Sequence, residues 1–344
     1  MIRVAVTGLS AAGMEHARWF ASNADVELVG VLDTDREVAE TCSRKLGVPV
    51  FADIDALIAA KPNLVSVHST SSARARHVCA LIEADIHVVA SLPIVPDPTD
   101  LALLGALARK HGVILAGDFH FRYTPAVHKA KAWIAEGSVG TPLFINVNFF
   151  ARKNDTTDPA ELFRNLGTHG MDLVRVFAGE VTRLQCFATK PSNRRSWSTA
   201  QINLHFASSE TPGPVGTLTL SEDMSLLHPI ARVEMAGSRA RFTIENVYEE
   251  ATLFVHDEEE KRVITNSIFG GVPQLRTTYG LRLAALVKQI QAGEVSNTDL
   301  DDVLRSTAVM EAVIEAANTG AVIDTAPYIG QFGVAMDAVK EAGR

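Results

Sequence analysis

The 344-residue chain is expected to be α/β throughout. An N-terminal doubly wound parallel sheet should come first, then a C-terminal α+β domain built on an open, largely antiparallel sheet. Three observations predict this. Up to about residue 117, short apolar runs alternate with helix-like stretches, and strands joined by helical crossovers make a parallel sheet. Between about 142 and 255, apolar runs follow one another with only turns between them, which implies antiparallel neighbours. The chain is 47% hydrophobic, enough for two sizeable cores. The domains are placed at 1–122 and 123–344.

The elements justify themselves in order. Val4-Ala5-Val6-Thr7 is a short apolar strand, and Gly8-Leu9-Ser10-Ala11-Ala12-Gly13 follows it into a helix at 12–23. Gly8 suits the tight turn out of the strand, and Gly13 lets the helix pack close to it. The free N–H groups of the helix start then point at a phosphate. Ser10 stands where a middle glycine would let backbone approach a pyrophosphate, so weakened binding is expected there. The next strand, 26–33, ends in Asp33, twenty residues beyond Gly13, placed to accept the ribose hydroxyls of an adenosine. The strand–turn–helix–strand order predicts dinucleotide binding; the other reading is a surface turn in which Asp33-Thr34-Asp35-Arg36 caps the next helix. Helix 36–46 stops at Gly47. Strand 50–51, helix 53–59, strand 64–69, helix 73–84, strand 87–91, helix 99–111 and strand 113–117 complete six strands. Gly8–Gly13, Asp33, Ser69, Thr70, Ser91, Leu92 and residues 118–122 should rim the crevice at the strands' carboxyl ends.

The pattern changes at Pro125. Helix 125–136 closes at Gly137, and a long strand runs over 143–150. The polar loop 152–159 leads to a helix carrying His169 and Asp172. Strands are expected at 182–189, 199–208, 215–220, 232–235, 240–244 and 251–255, with turns at 211–214 and 257–261. Helices 277–292 and 299–318 stop at Gly293 and Gly320. A last helix near 337–340 can pack back on the first domain.

Composition excludes several classes. Net charge is −8, with no basic stripe, which argues against nucleic acid as a partner and against polybasic attachment to membrane. No apolar run reaches the roughly 18 residues of a membrane span, and no secretory leader is expected. Cys42, Cys79 and Cys186 are widely spaced, reading as small hydrophobes in a reducing, cytoplasmic compartment. His169 and Asp172 are spaced i, i+3 without an evident third ligand, so no metal site is expected.

The layout resembles the Gfo/Idh/MocA oxidoreductases over nearly the whole chain. The resemblance rests on Gly8–Gly13 with His16, on Asp33, and on the approach through 83–93 to that family's Glu-Lys-Pro turn. It also rests on Arg122-Tyr123-Thr124-Pro125, Glu136-Gly137-Ser138-Val139-Gly140 and His169-Gly170-Met171-Asp172. It implies NAD as cofactor, with NADP less favoured. The implied reaction moves a hydride between the nicotinamide and a small carbinol such as a sugar, an inositol or a related hydroxy compound. A homodimer or homotetramer is implied through the open sheet.

Departures fall at the reacting centre. Ser91-Leu92-Pro93 replaces Glu-Lys-Pro, so the lysine is a leucine that can neither donate nor accept. The aspartate four residues before the site histidine is Asn165, an amide that hydrogen-bonds but is no base at neutral pH. Thr70 and Arg74 stand where a proline and a histidine often follow the fourth strand. His169 is then the expected general base, with Asn165 one turn earlier on the same helix face as an orienting amide; its other reading is a capping or packing residue. Arg122 either pairs with an anionic substrate group or holds the domain junction through carboxylates. By strand alternation His120 points with Arg122 and Asp118, either toward nicotinamide and substrate or as a satisfied junction histidine. Arg164, with Arg152 and Lys153, either recognises an anion or is solvated. The competing function is a catalytically impaired dinucleotide- or sugar-binding regulatory protein of the same fold.

Overall fold

The computed structural model describes residues 1–153, 155–207, 213–224, 230–247, 249–265, 275–296 and 298–331. By backbone contacts the chain forms two compact units. Met1–Asp118 and Tyr279–Leu304 belong to the first, and Phe119–Thr278 with Arg305–Gln331 make the second.

In the first unit, β1 (Ile2–Thr7), β2 (Val26–Leu32), β3 (Leu64–Val67), β4 (His87–Ala90) and β5 (Leu115–Gly117) form one parallel sheet in the order β2-β1-β3-β4-β5. The crossovers are α1 (Ala11–Ser22), α2 (Arg36–Leu46), α3 (Ile54–Ala59), α4 (Ser71–Glu83) and α5 (Pro98–His111). Helices on both faces explain why β3 is buried along its whole length, with Leu64, Val65 and Val67 apolar. The chain order reverses at β1 and β3, so the turns after these strands diverge and open a crevice. The expected strand at 50–51 is a single bridge, Val31 to Val50. The Gly47 cap of α2 and the Asp53 cap of α3 leave too little chain between them for a ladder. Two later helices, α8 (Leu275–Gln291) and α9 (Thr298–Thr319), lie partly in this unit. Leu283, Leu286 and Val287 of α8 join the core built on Val4, Val6 and Phe20.

The second unit holds a nine-stranded sheet. Its strands are β6 (Pro142–Phe150), β7 (Val181–Thr189), β8 (Thr199–Phe206), β9 (Val215–Ser221), β10 (Ile230–Gly237), β11 (Ala240–Glu245), β12 (Glu250–Val255), β13 (Lys261–Thr265) and β14 (Val322–Asp324). Their order is β13-β12-β11-β10-β6-β9-β8-β7-β14, antiparallel except for the β6–β9 pair. One face buries Ile145, Val147, Ile202, Leu218 and Val233 in a core shared with residues of α6 (Pro125–Ala135) and α7 (Thr168–Ala178). The edge strands β13 and β14 were not expected. They are short and mostly exposed, so they carry no apolar alternation to read, and β13 begins at the residue taken as the end of a turn. Part of the expected turn at 211–214 and the whole helix at 337–340 lie outside the described residues.

Candidate functional site

The turn after β1 is built as the glycines require. Gly8 has φ +83°, and a Cβ there would lie 2.2 Å from the backbone of His68 and Ser69. A Cβ on Gly13 would lie 2.0 Å from the Gly8 carbonyl oxygen. The turn borders a cavity of about 570 Å³ lined by Gly8, Leu9, Ser10, Asp33, Ser69 and Thr70, among others. Ser10 caps α1, its Oγ accepting from Gly13 N at 3.4 Å, so the unexpected serine serves the helix start. No acidic residue occupies the first turn of α1, leaving its positive end available to an anion. Ser69 Oγ is buried, lines the cavity and has no hydrogen-bond partner among the described residues. A buried hydroxyl without a partner is costly, and a ligand atom in the cavity would satisfy it.

Asp33 is held rigidly at the same turn. Its Oδ2 accepts from Leu9 N at 2.5 Å and its Oδ1 from Asp35 N at 2.8 Å. Asp35, not Asp33, caps α2. Each carboxylate oxygen keeps acceptor capacity for a ribose hydroxyl. Arg36 pairs with Glu40 at 2.8 Å and is 89% exposed, while Arg76 and His77 of α4 line the cavity. These two were missed in the sequence, because β3 and the start of α4 carry no motif that marks which helix face turns inward.

The turn after β4 differs from the expectation. Leu92 is 5% exposed. Its Cδ2 lies 3.1 Å from where a Gly117 Cβ would be, beside Val303. Leu92 therefore packs against apolar neighbours. Arg74 binds the turn by donating to the carbonyls of Ser69, Ser91 and Pro93. The Ser91 hydroxyl lies 2.5 Å from Nδ1 of His68, a histidine that sequence reasoning passed over as strand interior.

In the second unit, His169 opens α7 directly after a π-helical turn, Phe163–Gly167. Its ring sits edge-on to Phe119, His120 and Phe121, with centroids 5.6–6.0 Å apart. Such π turns recur at functional sites. Asn165 donates to Glu161 Oε1 at 3.3 Å, and the same oxygen takes an ion pair from Lys153. His120 is not on a strand. The chain bends into a 3₁₀ turn, His120–Tyr123, which removes the alternation argument. Its Nδ1 lies 2.5 Å from Thr278 Oγ1, and the residue is buried. Of the two readings of Arg122, the pairing with a carboxylate is the contact seen: Asp172, almost fully buried, accepts both its Nε and Nη2. Arg164 is paired with Asp158 at 2.9 Å and with Glu311 at 3.2 Å. A guanidinium already neutralised inside the protein has little left for an anion.

A cavity at the switch point of a doubly wound sheet, with a glycine turn, an uncompensated helix start and a fixed carboxylate, defines a dinucleotide-binding α/β protein. Comparison with known families agrees. The model for the oxidoreductase family with NAD-binding Rossmann fold matches residues 2–119, and that for the Gfo/Idh/MocA C-terminal domain matches 127–243. The chain belongs to the Gfo/Idh/MocA oxidoreductases. It is 32% identical over 142 residues to D-glucoside 3-dehydrogenase of Escherichia coli, an alignment that spans 40% of either chain. It is 24% identical to myo-inositol 2-dehydrogenase of Thermotoga maritima over 85% of this chain and 89% of the relative. The structure of levoglucosan dehydrogenase with NADH and L-sorbose superposes with a TM-score of 0.83 at 16% identity, over 94% of this chain and 98% of that one.

Proposed function

We propose that the protein is an NAD-dependent dehydrogenase or reductase acting on a small polyhydroxylated carbinol, a sugar, an inositol or a related hydroxy compound. The observation that carries this reading is the cavity beside Gly8, with Asp33 fixed on one side and the unpartnered Ser69 hydroxyl on another. The relatives named as glucoside and inositol dehydrogenases support the substrate class. The bound nicotinamide would supply the hydride acceptor. Gly8, Ser10, Ala11, Ala12 and Gly13 would hold its pyrophosphate through the α1 start, Asp33 its adenosine ribose, and Ser69, Thr70 and Ser91 its other half. Asn165 and His169 are read as substrate-facing groups, an amide for a hydroxyl and an imidazole able to take a proton. The three cysteines are unbridged, in keeping with a cytoplasmic enzyme. The open face of the large sheet, with Phe187 59% and Val215 54% exposed, supports a homodimer or homotetramer.

The second reading, a dinucleotide-binding regulator without turnover, is favoured by Leu92 and Asn165. One experiment separates them: NADH titration by fluorescence, then NAD⁺ reduction with a panel of sugars and inositols. Saturable binding with turnover is expected. Binding without turnover establishes the regulator, and no binding into the millimolar range removes both.

A further inference from the structure

A chain of polar groups runs inward from Ser91 in the first unit, and beyond Ser91 none of its members is assigned to the dinucleotide. Ser91 Oγ meets His68 Nδ1 at 2.5 Å. His68 Nε2 lies 2.8 Å from Ser66 Oγ and 3.1 Å from His16 Nδ1. Ser66 Oγ is also 2.8 Å from His16 Nδ1, and His16 Nε2 lies 3.2 Å from Asp118 Oδ2. His16, Ser66, His68 and Asp118 are all at most 5% exposed, and Ser91 alone is half-buried. Two imidazoles, a hydroxyl and a carboxylate make an expensive filling for the space between α1 and the sheet, where apolar side chains would pack without desolvation cost.

One protonation pattern suits every member. Ser91 O–H donates to His68 Nδ1, His68 Nε2–H donates to Ser66 Oγ, Ser66 O–H donates to His16 Nδ1, and His16 Nε2–H faces the Asp118 carboxylate. All donors then run from Ser91 inward, the logic of a hydroxyl–imidazole–acid triad with one hydroxyl and one imidazole added. Ser66, Ser91 and Asp118 belong to β3 and to the turns following β4 and β5. Ser91 and Asp118 therefore lie at the carboxyl ends of the strands, where ligands of such sheets bind.

We propose that Ser91 exchanges the carbinol proton and that His68, Ser66, His16 and Asp118 carry it inward, standing in for the side chain that Leu92 lacks. This rests on the dehydrogenase reading above. In the oxidation direction the carbinol O–H bond breaks and its proton passes to Ser91 Oγ. The serine's own proton moves to His68 Nδ1, the His68 Nε2 proton moves to Ser66 Oγ, and the Ser66 proton moves to His16 Nδ1. A bound oxidised nicotinamide would take the carbinol hydride as the C=O bond forms. His16 ends as an imidazolium beside the Asp118 carboxylate, so the buried charge is paired. Ser91 is the catalytic residue and the other four are positioning residues. Arg74 on α4, Glu15 on α1 and Tyr279 on α8 are the further charged or titratable groups around them. Burial and then His16 hold His68 well below 6.5, against an opposing pull from Asp118, so the ring is neutral and able to accept near pH 7.

The test uses the full-length protein and a carbinol that it turns over. Ser91→Ala is expected to lower kcat at saturating NAD⁺ by about 10²-fold or more, whatever the change in KM for NAD⁺. Ser91→Thr, which keeps the hydroxyl, should retain most activity, while Ser91→Val, of the same size, should not; this pair decides the matter should Ser91→Ala melt early. Asp118→Asn should move the acid limb of kcat to lower pH, because the carboxylate raises the His68 pKa. Without cofactor, ¹⁵N NMR should find His68 neutral at pH 7, with its Nδ1 signal displaced by Ser91→Ala. Wild-type kcat in Ser91→Ala, with loss confined to His169→Gln, overturns the relay and leaves the dehydrogenase standing. No turnover of any carbinol by the wild type overturns the dehydrogenase reading, and the relay with it.

Discussion

Gly8→Ala separates backbone strain from steric collision at the phosphate turn. At φ +83° an alanine pays about 1–2 kcal/mol for left-handed backbone. Its Cβ would also stand 2.2 Å from His68 C and Ser69 N. These are backbone atoms that cannot swing aside as a side-chain end can, and overpacking of that kind adds about 1–3 kcal/mol. The total is about 2–5 kcal/mol, which in a unit of this size lowers Tm on the order of 10 °C. The atoms that must yield belong to residues lining the cavity, so NADH affinity should fall by about tenfold or more, roughly 1.4 kcal/mol. Gly47→Ala is the control: φ is +70° and nothing lies within 4 Å of the added Cβ. It should carry the strain alone and leave NADH binding unchanged. Differential scanning fluorimetry and NADH fluorescence titration read both quantities. If Gly8→Ala melts no earlier than Gly47→Ala and binds NADH as the wild type does, the close approach of this turn to residues 68–69 is wrong.

Other predictions follow from the same geometry. Leu92→Lys places an ammonium against Gly117 and Val303, so Tm should drop and turnover should not rise; increased turnover at unchanged Tm would mean that position 92 faces substrate. NADH should bind about tenfold or more tighter than NADPH, since Asp33 and a 2′-phosphate repel by roughly 1–3 kcal/mol. Arg76→Ala should weaken NADPH more than NADH and Arg36→Ala neither, as isothermal titration would show; tighter NADPH binding contradicts the reading of Asp33. Stability should fall in acid. Folding keeps His68 neutral below its ordinary value of 6.5, where the unfolded chain takes up a proton. That contribution is whole above 6.5 and is lost as pH drops further, by up to about 1.4 kcal/mol per pH unit. Burial shifts His77, His87 and His128 the same way. Urea midpoints at about pH 7.5 and about pH 5.5 measure it, and equal midpoints refute it.

The sequence by itself determined the architecture and the nucleotide turn. Alternating strand and helix patterns, the Gly8–Gly13 spacing and the Asp33 distance are local features, and each acts within one or two elements of its own position. The boundary was legible only as a change of pattern near residues 122–125. The return of Tyr279–Leu304 to the first unit depends on which core accepts Leu283 and Leu286, which no local periodicity states. The same limit applied to the site. For Arg122, Arg164 and His120 the sequence left a ligand role and a structural role both open, and folding brought Asp172, Glu311 and Thr278 against them from distant parts of the chain. His68 read as strand interior, yet tertiary packing set it between His16, 52 residues earlier, and Ser91, 23 later. Pairing of polar groups across such distances is decided by packing, because a buried charge or hydroxyl takes whatever partner the fold delivers.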